Sequence, residues 1–433
     1  MREKYYIIGG GPLGMSLALH STLNKKICCL IESGKELGGL AAPLKHNNYL
    51  IDKYYHFYYK GDELGSKKIF NLLNLDFKIS WKSISTSSYF NKQFYNFDSI
   101  SSIVRICKIE IVKVIFTLIK IRLFNPSNKL DKISAHTWCK KNFGYNLTKF
   151  VWAPLLSSKF GGDWKKISAL WLCTRIKIHL DTKNFFSGKS RFAYLTTTYK
   201  TGIDKLISKI KNCKGSIFLN EKVISLIIQD NLILYIVTNK RKIKITSDDK
   251  VISTVPLASL KNISPLKKRL KYLEHFDCVG AVVVIFEINS KLSNDYWTTV
   301  SDKSIKFDVV IQQNRLYPNT KKEIVYVSKY FSANDDFAKG NKKLILKNFL
   351  EGLKKMYPNF NKKDLISMKL FKTYYAAPTP KKNYGILLPD FKTNISNFYH
   401  VGFEHTFPQD RGVSNSFNLG KKIFDYINCA HTV

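Results

Sequence analysis

Three glycines near the start of the chain constrain its fold more than any other feature. Gly9, Gly11 and Gly14 form a Gly-x-Gly-x-x-Gly pattern that follows an apolar run at positions 5–8 and opens a segment with helical spacing. A second apolar run ends at Glu32. This order of strand, glycine turn, helix and strand predicts the opening of a doubly wound parallel sheet.

The spacing of this motif also predicts a ligand. The first glycine permits a tight turn, the second lets a pyrophosphate approach the backbone, and the third lets helix and strand pack closely. The helix begins at Pro12, and its N-terminus favours an anion. Glu32 is suited to bind a ribose hydroxyl, and we assign Ser33 to the same site. We therefore predict a bound dinucleotide.

Two features favour FAD over a nicotinamide nucleotide. Gly38 and Gly39 follow Glu32 closely, and such a pair allows the backbone to pass near a pyrophosphate and a ribitol chain. The chain contains no second Gly-x-Gly, so a second dinucleotide site is not indicated. It also contains no Cys-x-x-Cys, which disfavours a flavoenzyme of the disulfide-reductase type.

Longer strings resemble a known superfamily at both ends of the chain. LIESGKELGGLAAP resembles the second strand and double-glycine segment of the FAD-dependent amine-oxidase, protoporphyrinogen-oxidase and phytoene-desaturase superfamily. HVGFEHTFPQDRGVSNSFNLGKKIFDYI resembles its closing flavin-binding segment. IDKYYHFYYKGD and VWAPLLSSKFGG look like a bacterial subgroup of protoporphyrinogen-oxidase-like proteins, often found with polysaccharide-synthesis functions.

The resemblance and the periodicity of the chain together predict its organisation. We expect an α/β fold in which a Rossmann-type FAD-binding domain, with a glutathione-reductase-like ββα core, is interrupted by a mixed α+β substrate domain. The FAD-binding domain is assigned to residues 1–80, 195–256 and 385–433, and the substrate domain to residues 81–194 and 257–384.

Local patterns refine this organisation. We expect residues 80–195 to be mainly helical, with Ser134 capping one helix and Gly144 ending it. After Ser216 the period changes, and four short apolar segments up to position 246 predict a β-meander.

The resemblance implies a non-covalent FAD site with a role for each matching residue. The ADP half would be held by Gly9, Gly11, Gly14 and Glu32, and the adenine would meet the backbone of Val223. The pyrophosphate and ribityl chain would lie near Gly39, Leu40, Gly402 and Glu404, and the flavin pyrimidine near Arg411, Gly412 and Val413. Leu40 replaces the basic residue usual in the superfamily. The closing motif has no cysteine near Glu404 in the sequence, so it offers no evident point of covalent attachment.

Catalytic and substrate-binding groups are less well defined by the sequence. His56 lies among tyrosines and is a candidate proton donor or substrate ligand, with aromatic packing as the alternative. Five further residues are candidates for substrate contact or for ordinary packing: Trp152, Lys159, Phe160, Tyr374 and Tyr375. No metal-ligand pattern is found, and no metal is expected.

Two enzymatic functions fit these features. The first is hydride transfer from a small-molecule substrate, lipid- or nucleotide-linked, to FAD. The alternative is a non-redox flavoenzyme similar to UDP-galactopyranose mutase that acts on a sugar nucleotide. It requires arginines for a diphosphate, and Arg175, Arg191 and Arg315 are the candidates. A flavin-bearing protein without turnover is a third interpretation.

The net charge of +38 leaves several partners open. Nucleic acid is disfavoured, because only nine of the 70 basic residues are arginine and the lysines are scattered. Attraction to an anionic membrane or substrate, and a simple composition bias, stay as alternatives. The first apolar run leads directly into the glycine loop, so we expect no signal peptide and a cytoplasmic location.

The segment Ile100–Phe124 is the longest apolar stretch, but charged residues interrupt it too often for a transmembrane span. Apolar residues recur along it at helical spacing: Ile103, Cys107, Ile111, Val114, Leu118 and Ile121. We expect a helix that either packs on the protein or lies on the inner face of the membrane.

Overall fold

A computed structural model describes residues 3–429 apart from 47–48, 97–109, 184–188, 319, 333–334, 336 and 338–339. The strands are β1 (Lys4–Ile8), β2 (Ile27–Ile31), β3 (Pro43–His46), β4 (Tyr49–Asp52), β5 (Ile79–Ile84), β6 (Thr86–Phe90), β7 (Gln93–Asn96), β8 (Ser190–Leu195), β9 (Ser216–Phe218), β10 (Val223–Gln229), β11 (Leu232–Thr238), β12 (Lys242–Lys244), β13 (Lys250–Ser253), β14 (Cys278–Ile288), β15 (Trp297–Val300), β16 (Val309–Gln312), β17 (Glu323–Phe331), β18 (Leu365–Pro378) and β19 (Phe398–His400).

The helices complete the chain between these strands. They are α1 (Pro12–Leu23), α2 (Leu64–Leu72), α3 (Ile111–Leu123), α4 (Ala135–Leu147), α5 (Ala153–Phe160), α6 (Ala169–Thr182), α7 (Tyr199–Asn212), α8 (Leu257–Leu260), α9 (Leu266–Arg269), α10 (Gln313–Leu316), α11 (Lys342–Met356), α12 (Tyr384–Leu387) and α13 (Val413–Cys429).

A five-stranded parallel sheet lies at the centre of one half of the fold, in the order β19-β13-β1-β2-β9. Its central strand β1 is apolar on both faces and almost fully buried, as expected when helices cover both sides of a sheet. Helices α1 and α13 pack closely on one side, because a Cβ on Gly420 would lie 2.5 Å from the Cβ of Ser16. Because all five strands are parallel, their carboxyl ends lie at the same edge of the sheet.

A seven-stranded mixed sheet forms the other half, in the order β18-β14-β17-β16-β15-β6-β7. Its long strand β14, which lies between β18 and β17, is buried along almost its whole length. One face packs on α11, where the rings of Phe349 and Phe307 are 5.4 Å apart. The other face, which carries Val283 and Ile285, packs on the aromatic segment that contains Tyr59.

All strands of the parallel sheet fall in the ranges assigned to the FAD-binding domain, and all strands of the mixed sheet fall in those of the substrate domain. The domain boundaries themselves stay predictions. The α/β class is as predicted.

The prediction of a mainly helical stretch over residues 80–195 is wrong at its ends. Strands β5, β6 and β7 occupy its start and β8 its end, and β5 pairs antiparallel with β8. The partners lie far apart in sequence, so neighbouring residues carry little trace of the pairing. The predicted meander is also one strand too long, because β9 joins the parallel sheet beside β2 and only β10, β11 and β12 form an antiparallel sheet.

Helix α4 begins as predicted but does not end at Gly144. The hydroxyl of Ser134 caps it by accepting a hydrogen bond from the amide of Thr137, at 3.1 Å. Gly144 has a φ of 81° inside the helix and produces a kink there. A Cβ at this position would lie 2.0 Å from a carboxylate oxygen of Glu110, so the glycine makes room for that side chain.

Helix α3 covers the second half of the stretch Ile100–Phe124. Val114 and Ile121 of its predicted apolar stripe are buried against the protein, whereas Ile103 and Cys107 lie outside the described residues. Within the described part of the chain, no helix is long and apolar enough to cross a membrane.

Candidate cofactor and substrate site

Each glycine of the motif has a different structural role in the loop between β1 and α1. Gly9 turns the chain with a φ of 110°. A Cβ on Gly14 would lie 1.9 Å from the carbonyl oxygen of Gly9, so only glycine allows this close packing. A Cβ on Gly11 would meet nothing within 4 Å. The outer side of the loop is therefore open at the second glycine.

The first turn of α1 faces this open space with a positive dipole end. Pro12 occupies the first helical turn and no side chain caps the helix, so its leading amides are available to an anion.

The carboxylate of Glu32 joins the end of β2 to the glycine loop. It accepts hydrogen bonds from the backbone amides of Gly10 and Gly34, both at 2.6 Å. The hydroxyl of Ser33 lies 3.2 Å from the same carboxylate. A carboxylate has about four acceptor positions, so these contacts leave capacity for a ribose hydroxyl.

The double glycine crosses directly over the loop. Gly38 and Gly39 have φ values of 113° and 55°, and the amide of Gly38 donates to the carbonyl of Gly10 at 2.8 Å. A Cβ on Gly39 would lie 3.2 Å from the Cα of Gly11. Leu40 follows in a single 3-10 turn and is half-buried. The loop at Gly11 and the double glycine at Gly39 thus form a groove without side chains, which we call the cradle. A Cβ at either position would narrow it.

Val223 opens β10 and is buried next to the end of β2. The amide of Glu221 donates to the carbonyl of Glu32 at 2.9 Å, which fixes this proximity. The residue predicted to meet the adenine therefore lies on the Glu32 side of the cradle.

The closing segment approaches the cradle from the opposite side. Gly402 follows β19, and Glu404 is buried in the 3-10 turn Phe403–Thr406. One carboxylate oxygen of Glu404 accepts from the amide of Leu257 at 2.8 Å. Burial raises the pKa of Glu404 to about 8. A Cβ on Gly402 would lie 2.2 Å from the second oxygen of Glu404, so a side chain at this position would displace that oxygen.

Several buried polar atoms near this segment have no hydrogen-bond partner among the described residues. They are the Ser253 hydroxyl, both ring nitrogens of His400 and the second oxygen of Glu404. Ser253 and His400 are register partners at the carboxyl ends of β13 and β19. Burial holds the pKa of His400 well below its usual value, so the ring is neutral. Unpartnered buried polar atoms are costly, and a ligand with hydroxyl and phosphate groups would satisfy them.

A group of charged side chains lies just before α13, and we call it the Asp410 cluster: Asp410, Lys159, Arg175 and Arg411. The carboxylate of Asp410 lies 3.1 Å from the Lys159 ammonium, 3.7 Å from Arg175 and 3.9 Å from Arg411. The exposed fractions of the four side chains run from 13% to 24%. Burial acts to raise the pKa of Asp410, but the three cations lower it well below its usual value. The cluster carries three positive charges and one negative charge.

Aromatic and acidic groups surround the Asp410 cluster. The guanidinium of Arg175 donates to the Tyr59 hydroxyl at 3.2 Å, and this hydroxyl lies 2.9 Å from a ring nitrogen of His179. Burial raises the pKa of Asp62 to about 6. Despite burial, the charges of Arg411 and Lys159 lower the pKa of Tyr330.

Four residues of this region were not predicted from the sequence: Tyr59, Asp62, His179 and Tyr330. Tyr59 and Asp62 stand inside the IDKYYHFYYKGD string, which was the available signal. His179 and Tyr330 come from a helix and a strand with no distinctive motif.

His56 lines a concavity with Asp52, Tyr58 and Tyr199. Its ring nitrogen lies 3.8 Å from the Asp52 carboxylate. The hydroxyl groups of Tyr199, Tyr58, Ser66 and Ser414 form a continuous chain of contacts from this concavity to the first turn of α13. His56 therefore lines the same concavity as the two tyrosines at which this hydroxyl chain begins.

The five predicted substrate residues lie in different environments. Lys159 reaches the closing segment through Asp410. Phe160 is buried edge-on against Trp171, and Trp152 stacks on Phe143 with ring centres 5.3 Å apart. Tyr374 is 53% exposed on β18. The hydroxyl of Tyr375 accepts a hydrogen bond from Asn262 at 2.7 Å.

The three arginines that the sequence suggested for a diphosphate site lie in different parts of the fold. Arg175 belongs to the Asp410 cluster, Arg191 is exposed on β8, and Arg315 forms an ion pair with Glu323. Arg411, which the resemblance assigned to the flavin, lies beside Arg175 at Asp410.

The residues at the edge of the parallel sheet fit a dinucleotide. The cradle of Gly11 and Gly39 is free of side chains, the N-terminus of α1 favours an anion, and the unpartnered atoms of Ser253, His400 and Glu404 supply donors and acceptors.

Solved structures share this fold over nearly the whole chain. A protein from Exiguobacterium sp. 255-15, provisionally described as a protoporphyrinogen oxidase, is 14% identical with a TM-score of 0.76, and the match covers 99% of each chain. Reduced UDP-galactopyranose mutase is 14% identical with a TM-score of 0.73, covering 100% of this chain and 95% of that one. Putrescine oxidase bound to putrescine is 12% identical with a TM-score of 0.72, covering 99% of each. Identities this low establish the fold alone.

The sequence comparisons identify the family. None of the curated proteins compared with the chain matches it significantly. The pattern of flavin-containing amine oxidoreductases matches residues 31–409, which run from the last residue of β2 through the double glycine to the start of the closing segment. The predicted superfamily is thereby confirmed: the chain belongs to the flavin-containing amine oxidoreductases.

Proposed function

We propose that this protein binds FAD without a covalent bond and oxidises a small-molecule substrate by hydride transfer to it. The observation that carries this proposal is the cradle of Gly11 and Gly39 at the uncapped N-terminus of α1. A diphosphate needs close backbone approach and a positive helix end, and this cradle offers both.

The remaining residues are assigned to the cofactor from their positions. Glu32 would hold the adenosine ribose and Val223 the adenine. Glu404 is protonated below its pKa of about 8, so its second oxygen can donate a hydrogen bond to a ribityl or phosphate oxygen. Gly412 and Val413 would bring the N-terminus of α13 to the flavin ring, where a positive helix end stabilises negative charge.

When bound, FAD supplies a two-electron acceptor, and the protein supplies orientation and electrostatics. We assign His56 to substrate contact, because it lies at the concavity whose hydroxyl chain leads to Ser414 at the start of α13. Its neighbour Asp52, whose carboxylate lies 3.8 Å from a ring nitrogen of His56, can orient the imidazole.

The Asp410 cluster favours a second candidate function. Three cations surround one carboxylate, and each side chain retains some exposure, so an anionic substrate group finds uncompensated positive charge there. A sugar nucleotide carries such a group in its diphosphate. This observation supports the alternative of a non-redox flavoenzyme similar to UDP-galactopyranose mutase.

An absorbance spectrum of the purified protein, followed by titration with FAD, tests the cofactor. We expect the two flavin absorption bands and saturable binding. A colourless preparation that takes up no FAD would refute both functions.

Anaerobic assays then separate the two functions. Amines, porphyrinogens, polyenes and sugar nucleotides are each mixed with the oxidised and with the chemically reduced protein. Bleaching of the oxidised flavin by one substrate supports hydride transfer. Turnover of a sugar nucleotide only after reduction of the flavin, with no net electron transfer, supports the mutase.

Paired arginine variants sharpen this comparison. For the mutase, Arg175→Gln should raise the KM for a sugar nucleotide at least tenfold, since a charge-assisted hydrogen bond contributes roughly 1.5–3 kcal/mol. Arg191→Gln is the matched control, because Arg191 is exposed on β8. Equal KM values for the two variants would remove the Asp410 cluster as support for a sugar-nucleotide substrate.

A further inference from the structure

Helix α3 has two apolar faces, and the part of the chain that the structure describes covers one of them. Its inner face contains Val114, Thr117 and Ile121, which are buried against α4 and α6. Its outer face consists of five large apolar side chains that are 50–74% exposed: Val112, Ile115, Phe116, Ile119 and Leu123. We call these five residues the outer face of α3. An ordinary surface helix places polar residues there.

The outer face of α3 is a continuous stripe. At 3.6 residues per turn its five members fall within an arc of about 100° that lies opposite the buried residues. Phe124, the residue after the helix, is 64% exposed as well. Contiguous exposed apolar surface of this kind indicates an interaction site.

Basic residues border this stripe on both sides. By the same helical spacing, Lys113 and Lys120 lie along one edge and Arg122 along the other. The helix contains no acidic residue, and the chain as a whole carries a net charge of +38. The occupant of this face is therefore expected to combine an apolar interior with a negative surface.

We propose that the outer face of α3 inserts into the interfacial layer of an anionic lipid bilayer, with α3 lying flat in the membrane plane. An apolar stripe with a basic rim is the pattern of interfacial helices, in which lysine and arginine reach the headgroups while the apolar side chains enter the acyl boundary. A helix of 13 residues is too short to cross the bilayer.

A second copy of the chain suits this face less well than a membrane. Two such helices placed face to face would bring Lys113, Lys120 and Arg122 of both copies together, and like charges at an interface oppose association. An anionic bilayer instead neutralises the rim, at about 1 kcal/mol for each basic residue near the surface.

Vesicle co-sedimentation of the full-length, flavin-loaded protein tests the proposal. The two lipid preparations are pure phosphatidylcholine and an equal mixture of phosphatidylcholine with phosphatidylglycerol. We expect at least tenfold stronger binding to the mixed vesicles, and a loss of that difference in high salt, which screens the basic rim.

Two double variants locate the binding surface. Phe116→Ser with Ile119→Ser should weaken binding to mixed vesicles at least tenfold and leave the flavin spectrum and the Tm unchanged. Leu344→Ser with Ile366→Ser is the matched control, since both residues are also exposed apolar side chains but lie outside α3. This control should bind as the unchanged protein does.

Three results would overturn the proposal. The first is unchanged vesicle binding by the Phe116 and Ile119 variant. The second is equal binding to neutral and anionic vesicles. The third is an oligomer in solution that the same variant dissociates, which would assign the outer face of α3 to a second copy. None of these results depends on flavin turnover, so they leave the proposed function untouched.

Discussion

A single methyl group at Gly11 should separate cofactor binding from folding. Gly11 has a φ of −71° and a ψ of 177°, a backbone conformation that alanine adopts without strain. Its added Cβ would meet no protein atom within 4 Å. We therefore expect Gly11→Ala to change the unfolding free energy of the cofactor-free protein by less than about 1 kcal/mol, the range of helix-capping and glycine effects.

The same methyl group would project into the cradle where the diphosphate is proposed to lie. A phosphate held away from the helix amides loses one charge-assisted hydrogen bond or more, each worth roughly 1.5–3 kcal/mol. This loss corresponds to a dissociation constant for FAD that is about 10- to 100-fold higher.

Gly14→Ala provides the contrasting variant. Its Cβ would lie 1.9 Å from the Gly9 carbonyl oxygen and 2.9 Å from the Thr254 hydroxyl, so the packing of α1 on β1 must change. Overpacking of this kind costs about 1–3 kcal/mol or more. We expect Gly14→Ala to lower the Tm of the cofactor-free protein, which Gly11→Ala should leave nearly unchanged.

Two measurements on each variant complete this test. Urea unfolding of the cofactor-free protein gives the stability change, and titration of FAD fluorescence gives the dissociation constant. A Gly11→Ala protein that binds FAD as tightly as the unchanged protein would refute the placement of the diphosphate at this glycine.

Three further predictions concern buried groups. Asp410→Asn removes the carboxylate that three partly buried cations share, so urea unfolding should show a loss of roughly 1–3 kcal/mol, and an unchanged stability would contradict the ion pairing described above. Burial raises the pKa of Glu404 from 4.5 to about 8, so the folded protein holds this proton more tightly than the unfolded chain does. The unfolding free energy of the cofactor-free protein should therefore decrease as the pH rises from 4.5 to about 8, by at most about 5 kcal/mol. Glu404→Gln should remove this part of the pH dependence. Phe160→Ala should cost about 3–5 kcal/mol because the ring is 2% exposed, whereas Tyr374→Ala, at 53%, should cost less than about 1 kcal/mol in the same urea assay.

The parts of the fold that local sequence predicts are those whose signals are adjacent. The segment β1-α1-β2 was predicted because strand composition, glycine spacing and Glu32 all stand within 32 residues. The strands β5 and β8 were missed because each pairs with a strand far away in the chain, and a short strand without strict alternation resembles a helix segment. Gly144 was predicted to end the helix because a glycine with a positive φ is also the usual residue at a helix C-terminus. The local sequence does not distinguish that case from a kink inside a helix.

The candidate site divides in a similar way. Its glycines could be assigned because each has a conformational reason that leaves a spacing in the sequence. The Asp410 cluster could not, because Lys159, Arg175 and Asp410 come from three separate segments, and lysines are too frequent in this chain for one to stand out. The hydroxyl chain from Tyr199 to Ser414 depends in the same way on tertiary contacts.

The position of β1 in its sheet has a consequence for biosynthesis. β1 precedes its neighbours β2 and β13 along the chain, yet it lies between them in the sheet, and β19 is the last of the five strands to be added, beside β13. Until Lys250–Ser253 emerges, one edge of an apolar strand has no neighbour, and such edges invite wrong pairing with other chains. A chain that is truncated before Phe398 would therefore lack the edge strand β19 and leave β13 exposed in its place.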